Sequence, residues 1–178
     1  MAVVEDHLRT VGAVVEGLRD LGLQPVLVGG MALVVLGSRR VTRDFDFVIG
    51  HPQQDLARTI DLFYDRGLLL VSRLDEGGEV TATISNRKVA VARLQIDKPV
   101  TAYFFNADTG LRIDLLFDFP IPAATLARRA TRLRIRRHVV DVASERDLLR
   151  LKRIARASRK MAGDGEDIAF LEARKKQS

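Results

Sequence analysis

The sequence predicts an α/β or α+β domain with a helical tail, and three observations carry that expectation. Apolar residues recur at helical spacing near the N-terminus, short β-branched and aromatic runs separated by turn residues fill the middle, and two more helical patterns end the chain. The order is αβαβα, then strands, then helices. A length of 178 residues suits one domain, and a hydrophobic content of 47% is enough for an ordinary core.

Val4, Leu8, Val11, Val15 and Leu18 predict an amphipathic helix over 3–22, broken at Leu23-Gln24-Pro25. Val26-Leu27-Val28 is a short buried strand that ends at Gly29-Gly30. Met31 to Leu36 is apolar without alternation and suits a short buried helix stopped by Gly37. Phe45 to Ile49 is the next strand, and His51-Pro52 opens a helix to about Arg66. Strand composition recurs over 68–73, 80–84, 89–94, 100–105 and 111–117, with Asn106 to Gly110 as the turn between the last two. A short helix is expected over 123–130 and a strand or tight strand pair over 133–142. Ser144 is an N-cap with Asp147 in the first turn, so a helix runs from Glu145 to about Lys160. Gly163 to Gly165 interrupts, and a last helix covers 166–176. The expected division is a core over 1–143 and a C-terminal helical segment, 144–178, packed on it within a single domain.

The absence of cysteine excludes a disulfide framework and any thiolate metal site. Glu5, Asp6 and His7 stand where a secretory signal would have a basic region, and no stretch reaches the roughly 18 apolar residues of a membrane span, so a cytoplasmic protein without membrane contact is expected. The net charge of +6 is uneven. Residues 1–110 hold 12 Lys/Arg against 14 Asp/Glu, whereas residues 111–178 hold 17 against 9. A basic last third is either a solvated surface or one that attracts RNA, DNA or nucleotides.

The chemistry concentrates in Val28-Gly29-Gly30, thirteen further residues, and then Asp44-Phe45-Asp46-Phe47. Two apart on a strand, Asp44 and Asp46 project from one face while Phe45 and Phe47 anchor the other. Adjacent carboxylates repel, which is tolerable when they are exposed or when a divalent cation neutralises them; hard oxygen ligands suit Mg²⁺, which takes further ligands from substrate phosphates. Gly29-Gly30 lies where a strand enters a helix, so backbone N–H groups there are open to a phosphate. In Leu111 to Asp118, Ile113, Leu115 and Phe117 face the core and Asp114 the other side. An Asp among apolar strand residues requires a partner, either an arginine or a metal shared with the first pair. Asp118, at the strand exit, reads as a solvated end residue.

These residues resemble the polymerase-beta-like nucleotidyltransferase signature, a hydrophobic-Gly-Gly/Ser element followed by Asp-hydrophobic-Asp/Glu-hydrophobic. Gly37-Ser38-Arg39-Arg40-Val41-Thr42-Arg43-Asp44-Phe45-Asp46 is similar to the G-x-x-R-x-T-x-D-x-D segment of AbiEii-like and minimal nucleotidyltransferase families from toxin–antitoxin systems. Leu148 to Lys152 and Asp164 to Leu171 resemble their C-terminal helical segment. Gly37-Ser38 also reads Gly-Ser, but only five residues separate it from Asp44, too few for the intervening helix. The resemblance implies a nucleotidyltransferase fold, a mixed central sheet flanked by helices with C-terminal helices. It implies that Gly29 and Gly30 contact the triphosphate, that Asp44 and Asp46 bind Mg²⁺ or Mn²⁺, and that Asp114 is the third catalytic and metal-binding carboxylate. It further implies that Arg40, Thr42 and Lys152 contribute to nucleotide binding. The relatives' Lys-Asp after the Lys152 segment is replaced by the looser Arg159 to Asp164.

Arg132, Arg134 and Arg136 would share one face of a strand, a ridge suited to a phosphate backbone or, more plainly, a charged edge that blocks aggregation. His7, His51 and His138 are scattered and receive no role. The expected activity is transfer of a nucleotide from an NTP, ATP among them, to a hydroxyl acceptor. The acceptor is RNA, such as a tRNA 3′ end, or a partner protein in a toxin–antitoxin or phage-defence system. The alternative is an inactive module of the same fold that binds nucleotide, RNA or a toxin partner.

Overall fold

The computed structural model describes residues 2–52, 54–158 and 164–176. The chain runs α1 (Ala2–Asp20), β1 (Val26–Val28), α2 (Gly29–Val35), β2 (Asp44–Ile49), α3 (Leu56–Tyr64), β3 (Leu69–Leu74), β4 (Val80–Ile84), α4 (Arg87–Asp97), β5 (Thr101–Phe105), β6 (Arg112–Phe117), α5 (Ala123–Ala127), β7 (Thr131–Ile135), β8 (His138–Val142), α6 (Glu145–Ser158) and α7 (Asp164–Lys175). The eight strands form one sheet in the order β4-β3-β5-β6-β2-β1-β8-β7. It is a mixed sheet: β2 pairs with β6 and β1 with β8 in parallel, and the remaining pairs are antiparallel.

Burial follows the sequence periods. In α1, Val11, Val14, Val15 and Leu18 are buried at the i, i+3, i+4 and i+7 positions of one stripe. Leu8 and Val11 of that stripe meet Leu27, Phe45 and Phe47 on one face of the sheet. Asp44 and Asp46 therefore emerge on the opposite face. On α3, Phe63 stacks on Phe104 of β5 with ring centroids 4.0 Å apart. Leu148 and Leu149 of α6 and Ile168 and Leu171 of α7 join the same apolar core. Among the described residues no helix is long and apolar enough to cross a membrane.

Two local expectations are corrected. Residues 89–94 lie in helix α4 rather than a strand. Val89 and Val91 suggest a strand, but the Asn86 side chain accepts from Val89 N–H as an N-cap, and Ala90 and Leu94 bury the i, i+4 face. Lys98 then ends the helix with φ of 43° before Pro99. The expected strand pair over 133–142 is present as the hairpin of β7 and β8, but the arginine ridge is corrected: Arg136 lies in the hairpin turn with φ of 57°, so only Arg132 and Arg134 stand on the strand. The expected helix end at Lys160 and the break from Gly163 fall on 159–163, outside the described residues.

Candidate active site

Strand β1 passes into α2 without a connecting residue: Val28 ends the strand and Gly29 begins the helix. No side chain caps this helix, so its first N–H groups have no side-chain acceptor. Gly29 has φ of 68°, and a Cβ there would lie 2.0 Å from Asp46 Oδ2. Glycine is required twice over, by backbone conformation and by the carboxylate packed against it. A Cβ on Gly30 would lie 2.8 Å from Arg40 Nε and 3.3 Å from Thr42 Cβ, so the loop before β2 folds back over the start of α2. Gly37 does a different job. Ser38 N–H bonds Leu33 O and Gly37 N–H bonds Val34 O, a Schellman stop of α2 with Gly37 at φ of 99°.

The parallel register of β2 and β6 sets Asp46 beside Asp114 and Asp44 beside Arg112. Side chains on one face of adjacent strands meet, so Asp44, Asp46 and Asp114 converge there. Asp46 keeps part of its surface open yet lies deep among protein atoms. Burial first, then the charges of Asp114 and Asp44, push its carboxyl up to about 7, against the pull of Lys152 and Arg112. Burial also raises Asp114, to about 6, with Arg112 opposing it. Sequence reasoning passed over Arg112. Its Nε and Nη2 donate to the two oxygens of Asp114 at 2.9 and 3.0 Å, its Nη1 donates to Gly78 O at 3.0 Å, and its guanidinium lies 4.8 Å from the Tyr103 ring centroid. The available signal was Arg-x-Asp on a strand, which places both side chains on one face.

Lys152 and Arg40 converge from distant parts of the chain. Lys152 Nζ lies 2.8 Å from Asp167 Oδ2 and 3.6 Å from Asp164 Oδ1, and Arg40 Nη1 donates to the same Asp167 oxygen. Neither aspartate was identified as a site residue from sequence. Arg132 and Arg134 are not part of this group. They stand on edge strand β7, three strands from β2 and hence about 14 Å away across the sheet. Arg132 is paired with Asp141 at 3.0 Å. The three histidines are remote in role as well: His7 bonds Thr109 O, His138 pairs with Glu16, and His51 packs on Phe117.

The carboxylates fit a divalent cation in part. Asp44 and Asp46 stand two apart on one face of β2, and a cation would offset the burial and the repulsion that raise Asp46. Both oxygens of Asp114 are held by Arg112, and among the described residues no three metal-binding side chains are drawn together as a ready cage.

No family model and no curated protein matches the sequence. Solved structures share the fold, among them the following two. An antigenic nucleotidyltransferase-like protein from Paracoccidioides brasiliensis aligns with a TM-score of 0.57 at 17% identity, covering 94% of this chain and 75% of that one. The lincosamide antibiotic adenylyltransferase LnuA in its lincomycin-bound form aligns with a TM-score of 0.57 at 12% identity, covering 92% and 95%. The chain has a nucleotidyltransferase fold.

Proposed function

We propose that this chain is a nucleotidyltransferase that, with Mg²⁺ or Mn²⁺, moves a nucleotide from an NTP to a hydroxyl acceptor: the acceptor oxygen bonds the α-phosphorus, the bond to the β-phosphate breaks, and pyrophosphate leaves. The carrying observation is that Asp46 stands abreast of Asp114 on a parallel strand pair while its other side packs on Gly29 at the start of a helix. This joins a carboxylate cluster to the uncapped start of a helix, the two things a metal-bound triphosphate needs. Asp44 and Asp46 would hold the cation, which when bound screens the phosphate charge and orients the reacting phosphoryl group. Gly29 and Gly30 admit the triphosphate, Arg40, Thr42 and Lys152 line its side, and Asp114 takes up the proton of the acceptor hydroxyl once Arg112 releases it. An acid raised to about 6 is suited to that exchange near neutral pH.

The basic last third favours RNA, such as a tRNA 3′ end, as acceptor, with a partner protein of a toxin–antitoxin or phage-defence pair second. A small antibiotic, the class named for the lincosamide adenylyltransferase, ranks third, since a basic surface is ill suited to a cationic drug. The site of action is the cytoplasm, where NTP is plentiful. One observation favours a second reading, a non-catalytic module: Arg112 already satisfies both oxygens of Asp114. Thermal shift with each NTP separates the two. The enzyme is stabilised more by NTP with Mg²⁺ than by NTP alone, by about 2.7 kcal/mol where the metal complex is at a hundredfold excess over Kd. Equal stabilisation without Mg²⁺, or by RNA alone, supports the module.

A further inference from the structure

Asp167 sits in the first turn of α7 with its side chain only 5% exposed. One of its oxygens, Oδ2, takes two cations from segments far apart in sequence: Arg40 from the loop between α2 and β2, and Lys152 from α6. Asp164, three residues earlier in the same turn, directs Oδ1 at the same ammonium at 3.6 Å, while its Oδ2 is buried with no hydrogen-bond partner among the described residues. Both cations border the candidate site. Arg40 Nε lies against Gly30, and Lys152 is near enough to Asp46 to act on its charge. Arg40 uses one terminal nitrogen on Asp167, leaving Nε and Nη2 to donate elsewhere.

We propose that Asp167 is a positioning residue for polyphosphate, holding Arg40 and Lys152 from α7 at a fixed separation beside Gly30 and Asp46 so that both meet one chain of phosphates. The proposal rests on reading the site as an NTP site and adds the device that selects the triphosphate. Two cations, Arg40 and Lys152, are matched by two carboxylates, Asp164 and Asp167, so the group is formally neutral before a ligand arrives. A neutral group gives little to a small anion that reaches one cation. It gives more to a polyphosphate that bridges two cations already in place, because their ordering cost is met in the free protein.

The test uses the full chain without divalent metal, titrated calorimetrically with sodium tripolyphosphate and with sodium sulfate at constant ionic strength. Asp167→Asn keeps the shape and an acceptor oxygen but removes the charge. The variant is expected to bind sulfate more tightly and tripolyphosphate no more tightly, so that the ratio of the two dissociation constants falls at least tenfold. A merely structural Asp167 would lower the melting temperature and leave the ratio unchanged, and an unchanged ratio overturns the proposal. If Asp167→Asn does not fold, Arg40→Gln reads the same property from the exposed end of the group: tripolyphosphate should weaken at least tenfold and sulfate less than threefold, and equal losses overturn it. Failure of the wild-type chain to bind tripolyphosphate also overturns it. A chain that shows the expected ratios yet transfers no nucleotide supports the role of Asp167 and contradicts the transfer activity, so the two failures are distinct.

Discussion

Asp46 concentrates the electrostatic cost of the candidate site. Its folded pKa, pushed up to about 7 by burial and by Asp114 and Asp44, lies above the unfolded value of 3.8, so the native chain binds a proton that the unfolded chain has released. The fold is therefore best served with Asp46 protonated, and stability is lost as pH climbs from about 4 through 7. Asp46→Asn removes that loss. In metal-free urea unfolding the variant is expected to match the wild type at pH 4 and to exceed it at pH 8 by about 1–2 kcal/mol. That is less than the full shift implies, since the part-exposed group is screened by solvent. A variant less stable than wild type at pH 8 would mark Asp46 as structural. Much at this scale was legible in the sequence, because strand period and the strand-to-helix junction at Gly29 are local properties. The tie between Arg40 and Asp167 was not, since it closes over 127 positions and depends on where α7 docks.

At the scale of elements, the start of α6 is fixed by a small polar network. Ser144 Oγ accepts from Asp147 N–H at 3.1 Å and donates to the Asp147 carboxylate at 2.9 Å, and Arg129 from the end of α5 donates to both Asp147 oxygens at 2.9 and 2.6 Å. Burial tends to raise the Asp147 acid, but the hydrogen bonds from Arg129 and Ser144 outweigh it and hold it below the usual carboxylate range. The stability it contributes is thus present above the unfolded value and is lost as pH falls through the lower folded one. Asp147→Ala is expected to cost about 1–3 kcal/mol at pH 7 and progressively less towards pH 2, followed by denaturant unfolding. A cost independent of pH would contradict the assigned ion pair. The Ser144 cap was readable because capping is a short-range signal. Helix α4 was misread because Val89 and Val91 favour strands in isolation, whereas the cap at Asn86 and the buried Ala90–Leu94 face decide the local structure.

Over the whole molecule, the parallel pairing of β2 with β6 and of β1 with β8 places the carboxylates mid-sheet and the arginine hairpin at one edge. Strand order is set by long-range pairing and leaves no local trace in the sequence, which is why the distance of the hairpin from the carboxylates had to come from the structure. If this edge holds an RNA acceptor, replacing Arg132, Arg134 and Arg136 together by Ala should weaken RNA binding and flatten its salt dependence. Each lost phosphate contact lowers the log–log slope by about 0.7 for a single strand or 0.9 for a duplex. NTP binding should change little, since the edge lies about 14 Å from β2. RNA affinity unchanged at two salt concentrations would make the hairpin a solvated edge and shift the acceptor towards a partner protein. The most direct measurement of the central claim is nucleotide transfer itself. The chain is incubated with Mg²⁺, each α-labelled NTP and total RNA or cell lysate, beside a folded Asp46→Ala variant. The wild type is expected to label a macromolecule from at least one NTP and the variant to label none; no label from any NTP, or equal labelling by the variant, would contradict it.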